Sequence, residues 1–182
     1  MSNETIRVLY VNGTERDVQS ISEGLSKFGG TQFEFIWQQS AEKAIIFLEQ
    51  QNAVDVIVTE DVLEGMNGVE FMNKLKDLKY DIPVVFLTTI KDVSFAVEVM
   101  RMGVKDYLLK DDVATHVFPQ TLLRVVEKGH LKQEQDKLEI KRKRLEAMQE
   151  IVVGISDKIS EPLEDMNKIV SELEQNPLPE KQ

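Results

Sequence analysis

Over the first 127 residues, short apolar runs alternate with segments in which apolar positions recur at helical spacing. Arg7–Val11 reads as a strand, and Thr14–Phe28 as a helix with Val18, Ile21, Leu25 and Phe28 on one face. Gly29-Gly30 is placed to end that helix, as glycine does beyond a C-terminal cap. Phe33–Trp37 is a second strand. Ser40 is a helix cap, with Glu42 in the first turn and Ala44, Ile45 and Leu48 turned inward. Val54–Thr59 is the most continuously apolar run, which marks a central strand buried on both faces. The same alternation gives a helix over Val69–Leu78, a strand over Pro83–Thr88, a helix over Val93–Met102 closed by Gly103, and a strand over Asp106–Leu109. A last helix begins near Thr115 or Pro119.

Five strand–helix units in series predict an α/β fold. The expected form is a doubly wound, five-stranded parallel sheet of flavodoxin-like order 2-1-3-4-5, followed by a long C-terminal helix. A Rossmann nucleotide domain needs a glycine-rich turn after the first strand, and Asn12-Gly13-Thr14 supplies a single glycine. After Val126 the alternation stops. Leu131, Leu138, Leu145, Val152, Ile159, Met166 and Leu173 then recur every seventh residue, the signature of a coiled-coil seam. The companion positions begin poorly with Glu134 and Lys141 and improve at Met148, Ile155 and Ile169. From Met148 the apolar face widens through Ile151, Leu163 and Val170, which suits a helical bundle. Two parts are therefore expected, an α/β domain over 1–127 and a helical dimerisation tail over 128–182.

Composition narrows the function classes. No apolar run approaches the roughly 20 residues of a membrane span, and the first residues lack the form of a signal peptide, so a cytoplasmic protein is expected. There is no cysteine, hence no disulfide, thiol nucleophile or thiolate metal site. Residues 128–182 carry 10 basic and 12 acidic side chains, so −8 of the formal −10 falls on residues 1–127. That surface repels phosphate backbones, and no nucleic-acid partner is expected. Lys141-Arg142-Lys143-Arg144, among Glu139, Glu146 and Glu150, reads as the solvated flank of a coil. His116 and His130 are given no role.

The candidate chemistry lies at the strand ends. Val54–Thr59 runs into Glu60, then a loop closed by Gly65 and Gly68, which puts a carboxylate where parallel sheets gather ligands. With Thr88 ending its strand and the run Gly103…Tyr107…Lys110, this segment resembles receiver domains of two-component signalling over residues 5 to about 127. The resemblance implies that Glu60 stands where the family has its phosphoacceptor aspartate. Asn12 and Gly13 stand where the family has two acids that hold magnesium. Thr88 matches the hydroxyl that meets the phosphoryl group, Tyr107 the switch aromatic, and Lys110 the lysine that pairs with the acid. Asp111 replaces the proline that follows this lysine in a cis peptide, so a remodelled loop and a trans bond are expected. Magnesium is expected to be lost, since it demands carboxylate oxygens. A salt bridge between Glu60 and Lys110 follows. Glu15, Asp17 and Asp61 are not expected to aim at the site.

A second, shorter resemblance lies in the tail. Ile155-Ser156-Asp157-Lys158-Ile159-Ser160-Glu161-Pro162-Leu163 looks like the first helix of a histidine-kinase dimerisation domain, with Asp157 at the place of the histidine. The expected protein is a non-catalytic pseudo-receiver with no cofactor. It dimerises through Leu131, Leu138, Leu145, Met148, Val152, Ile155 and Ile159, and it binds other signalling proteins such as a sensor kinase or a response regulator. By resemblance, the contact face lies around Ala96, Met100, Lys105 and Tyr107. Two alternatives stand beside it: a phosphorylatable response regulator using Asp61 or Glu60, and a fragment of a hybrid sensor kinase.

Overall fold

The computed structural model describes residues 5–50 and 53–175. Its elements run β1 (Thr5–Val11), α1 (Glu15–Ser26), β2 (Gln32–Gln38), α2 (Ala41–Glu49), β3 (Val56–Thr59), α3 (Gly68–Asp77), β4 (Val84–Thr88), α4 (Val93–Arg101), β5 (Asp106–Leu109) and α5 (Val117–Gln175). All strand pairs are parallel, in the order β2-β1-β3-β4-β5, so β3 is central as its unbroken apolar run requires. The chain forms two compact units, Met1–Lys132 and Gln133–Gln182.

Alternation along the strands divides the first unit's core in two. Val8, Tyr10, Val56, Val58, Val85 and Leu87 face the helices α1 and α5 through Ile21, Leu25, Phe118 and Leu122. Leu9, Val11, Ile57 and Phe86 face α2, α3 and α4 through Ala44, Leu48, Phe71, Leu75 and Val99. With both faces covered, a strand interior has no solvated side on which a polar residue can sit. Polar residues are displaced to the carboxyl ends of the strands. Between β1 and β3 the order reverses direction, which opens the crevice that α/β sheets use for ligands.

Local signals set the helix starts. Thr14 caps α1 in a reciprocal box with Asp17, Ser40 caps α2, Asn67 and Glu70 box the start of α3, and Asp92 caps α4. Some boundaries differ from those read in the sequence. α1 closes at Ser26, where the Lys27 N–H caps the carbonyls of Glu23 and Leu25. Gly29-Gly30 therefore serves the turn into β2, with Gly30 at φ +98°. The last helix begins at Val117, after a 3₁₀ turn over Lys110–Asp112 that carries the remodelled loop. Among the described residues no peptide bond is cis.

In the second unit the heptad residues Leu138, Leu145, Met148, Val152, Ile155, Ile159 and Met166 are all exposed, and Leu131 just before it is too. The basic run is partly paired along the helix, Lys143 to Glu139 at 2.9 Å and Arg142 to Glu146 at 3.2 Å. The helix continues through Pro162. The side chains of Asp157 and Leu173, and residues 176–182, lie outside the described residues. No described helix is long and apolar enough to cross a membrane.

Gly68 opens α3 directly beneath the strand-end acid. A Cβ there would stand 2.5 Å from the Glu60 carbonyl oxygen and 2.9 Å from the Phe86 ring. Gly68→Ala should therefore cost about 1–3 kcal/mol through overpacking, despite the better helix propensity of alanine. Urea denaturation measures it, and an unchanged midpoint would show that the 61–67 loop yields freely.

Candidate functional site

β1 and β3 end side by side, with Val11 opposite Thr59, so Asn12 and Glu60 emerge together. The Glu60 side chain, 14% exposed, receives three donors. Lys110 Nζ lies 2.7 Å from Oε1, the Tyr10 hydroxyl donates to the same oxygen at 2.7 Å, and Asn12 Nδ2 donates to Oε2 at 3.4 Å. The salt bridge expected between Glu60 and Lys110 is thus present. Asn12 adopts φ +74° and Gly13 φ +84°, and the turn is pinned by the Trp37 Nε1–H, which donates to the Asn12 carbonyl at 2.9 Å. Asn12 Nδ2 also reaches the Val62 carbonyl at 3.1 Å.

Two participants were missed by sequence reasoning. Asp17, set aside there, places Oδ2 3.4 Å from Lys110 Nζ. The reason is geometric. α1 starts immediately after β1, so its first turn stands over the strand ends. The capping box with Thr14, visible in the sequence as Thr14-x-x-Asp17, fixes the carboxylate there at 2.8 Å from the Thr14 hydroxyl. Tyr10 was read only as part of the Arg7–Val11 strand. It is fully buried, packs beside Phe35 with ring centroids 6.2 Å apart, and ends in the site. A tyrosine one residue before the end of a parallel strand was the available signal, since a buried phenol needs a hydrogen-bond partner.

The electrostatics follow from these neighbours. Burial pulls the Lys110 ammonium down, but the hydrogen bond and charge of Glu60, with Asp17 behind, more than offset this and hold it above the ordinary lysine value. For Asp17, burial pushes upward and is outweighed by hydrogen bonds from Thr14 and the charge of Lys110, leaving the carboxyl below its ordinary value. Burial, then the bond to Glu60 and its charge, raise the Tyr10 phenol far above its usual range, so it stays protonated.

Thr88 and Tyr107 form a neighbouring group rather than part of this cluster. The buried Thr88 hydroxyl accepts the Ile90 N–H at 3.1 Å, and the Tyr107 hydroxyl donates to the Ile90 carbonyl. Tyr107 packs edge-on against Phe95 with centroids 6.2 Å apart. Its phenol is raised by burial and by the charges of Asp61 and Asp92, and lowered by Thr88. Asp111 leaves the site and pairs with Lys91 at 2.9 Å. On α4, Val93, Ala96, Val97 and Met100 line a shallow apolar depression. A recess of about 600 Å³ lies at the other end of the strands among Thr5, Arg7, Asp55, Glu127 and His130, and touches none of the site residues.

A magnesium ion does not fit this donor set. Asn12 and Gly13 offer no carboxylate, and the Glu60 and Asp17 carboxylates converge on an ammonium that supplies the positive charge itself. Among the described residues no group of three His, Cys, Asp or Glu is arranged for a metal.

Residues 16–117 match the family described as response regulator receiver domain. The chain is 29% identical over 100 residues to the transcriptional regulatory protein YdfI of Bacillus subtilis, covering 54% of this chain and 46% of that one. It is 38% identical over 73 residues to the heme response regulator HssR of Staphylococcus aureus, covering 40% and 32%. The matched stretch thus spans less than half of these curated relatives. Among solved structures, FixJ-N is 30% identical, with 68% of this chain and 95% of that one covered and a TM-score of 0.57. A receiver domain protein of Clostridium thermocellum, 22% identical with a TM-score of 0.59, covers 69% and 98% and shares the fold.

The pH dependence of the cluster can be read from Asp17. Its carboxyl sits below the ordinary value when folded, so its contribution is present above that value and is lost as pH falls through the folded one. Asp17→Asn should cost about 1 kcal/mol at neutral pH, and the gap to the natural chain should close on acidification below the usual carboxylate range. Urea unfolding across pH measures this, and a gap that persists in strong acid would assign the loss to packing alone.

Proposed function

The chain belongs to the response regulator receiver domain family, and on that premise we propose that it is a signalling module that works by binding proteins rather than by accepting a phosphoryl group. One observation carries this reading: Glu60, at the strand end, is engaged by Lys110 and Tyr10 at 2.7 Å each. A carboxylate so engaged is a poor nucleophile, and no carboxylate at 12 or 13 is available to draw a cation and its phosphodonor alongside. The module needs no metal or other cofactor and catalyses nothing.

Its output is contact. The exposed apolar side chains on α4, Val93, Val97 and Met100, next to Tyr107, form the face offered to another signalling protein, a sensor kinase or a response regulator. The heptad stripe of the second unit joins two copies of the chain, since large apolar side chains repeated every seventh residue along one helix are buried by a second helix of the same pattern. The acidic charge of residues 1–127 disfavours nucleic acid as a partner. A cytoplasmic location accords with this role.

Intact mass after incubation with magnesium and acetyl phosphate tests the central claim. The expected result is no gain of a phosphoryl group on the natural chain, and a magnesium-dependent gain would overturn the reading. Leu138→Glu/Val152→Glu should separate the dimer into folded monomers in sedimentation experiments; a dimer of unchanged affinity would move the self-association elsewhere.

A further inference from the structure

We infer that Tyr10 is the residue that excludes a divalent cation from this strand-end crevice, acting as a built-in plug rather than as ordinary core filling; this rests on the reading of the site as non-phosphorylatable. The lost acids alone do not describe the arrangement. A Cβ at position 13 would lie 2.2 Å from the Tyr10 hydroxyl oxygen and within 2.7 Å of two ring carbons, so the phenol takes the room that any side chain at 13 would need. Gly13 also holds φ +84°, where L side chains are strained. Tyrosine at 10 and glycine at 13 are one fitted pair.

The hydroxyl also consumes acceptor capacity. Oε1 of Glu60 receives both the Tyr10 O–H and the Lys110 N–H, which uses both of its lone pairs, while Oε2 faces Asn12 Nδ2. A cation that takes Oε1 must displace the phenol from Glu60. Tyr10 is fully buried, and among the described residues its hydroxyl donates to Glu60. Stripping that bond leaves a buried donor unsatisfied, a cost of about 1–3 kcal/mol. The ring cannot swing aside, since it is part of the packed cluster with Val8, Ile21 and Val58. Cation exclusion is therefore set by the core, one layer below the charged surface.

The natural fluorophore for a test is the single tryptophan, Trp37, whose indole N–H is bonded to the Asn12 carbonyl. Asn12→Asp keeps the shape of residue 12, leaves Gly13 and Glu60 in place, and sets a second carboxylate beside Glu60. Magnesium chloride titrated into Asn12→Asp and into Tyr10→Phe/Asn12→Asp, read by Trp37 emission, should give binding at least tenfold tighter in the protein lacking the phenol hydroxyl. Equal dissociation constants in the pair would overturn the inference, and so would the absence of binding in both, since Tyr10 would then not be what keeps the cation out. If Asn12→Asp does not fold, the natural chain and Tyr10→Phe are titrated in the same way, and the same outcomes support or overturn the inference. Magnesium binding by the natural chain with phosphorylation by acetyl phosphate would instead sink the non-phosphorylatable reading itself, a result separate from the comparison within the pair.

Discussion

Burial of the parallel sheet on both faces is the constraint from which the rest of this molecule follows. β3, at the centre, has Val56, Ile57, Val58 and Thr59 all buried, and its neighbours β1 and β4 are nearly as enclosed. No polar side chain can leave such a strand sideways, so chemistry collects where the strands stop. The same constraint explains why α1 matters to the site. A helix that must begin at once after β1, capped by Thr14, cannot avoid placing its first turn above those ends, and Asp17 is in that turn. Fold and site are thus one consequence of covering the sheet.

Within that crevice, charge balance decides what the site can be. One ammonium lies between two carboxylates, 2.7 Å from Glu60 and 3.4 Å from Asp17, with the Lys110 side chain only 25% exposed. Such partly buried pairs contribute little net stability, because desolvation offsets most of the attraction. Their effect is on geometry: the lysine is aimed, the glutamate is held, and the phenol beneath has one acceptor to choose. The group around Thr88, Ile90 and Tyr107 is a separate network, joined through backbone atoms of Ile90 rather than through Glu60.

What was legible in the sequence divides along the same line. Strand order, the centrality of β3, the Ser40 cap and the strand-end position of Glu60 were readable because hydrophobic period and capping chemistry are local. The salt bridge to Lys110 was expected because the receiver resemblance makes Lys110 the partner of the strand-end acid. Tyr10 and Asp17 were not read as site residues, for opposite reasons. Tyr10 was read only as strand, since its ring packs in the core and only its last atom reaches the crevice. Asp17 was set aside because its place in the site depends on where β5 ends, far along the chain. The end of α1 was misplaced because a C-cap by Lys27 needs no glycine, and the Gly29-Gly30 pair serves the following turn instead.

The second unit poses the reverse problem. The first unit encloses its own two core clusters, whereas from Gln133 onward the large apolar side chains are exposed, Ile140, Met148, Ile151, Val152, Ile155 and Ile159 among them. A lone helix with that surface is marginal in water, because helices derive most of their stability from a packed face. The pattern is also not uniform. Glu134 and Lys141 occupy seam positions early, which weakens a two-stranded contact there and leaves register to the leucines around them. From Met148 onward, apolar residues flank the seam on both sides, as Ile151, Val153, Leu163 and Val170 do. A face that wide exceeds the two-position stripe of a simple coiled-coil seam. The exposed apolar surface of this helix is therefore narrow where it begins and widest over residues 145–170.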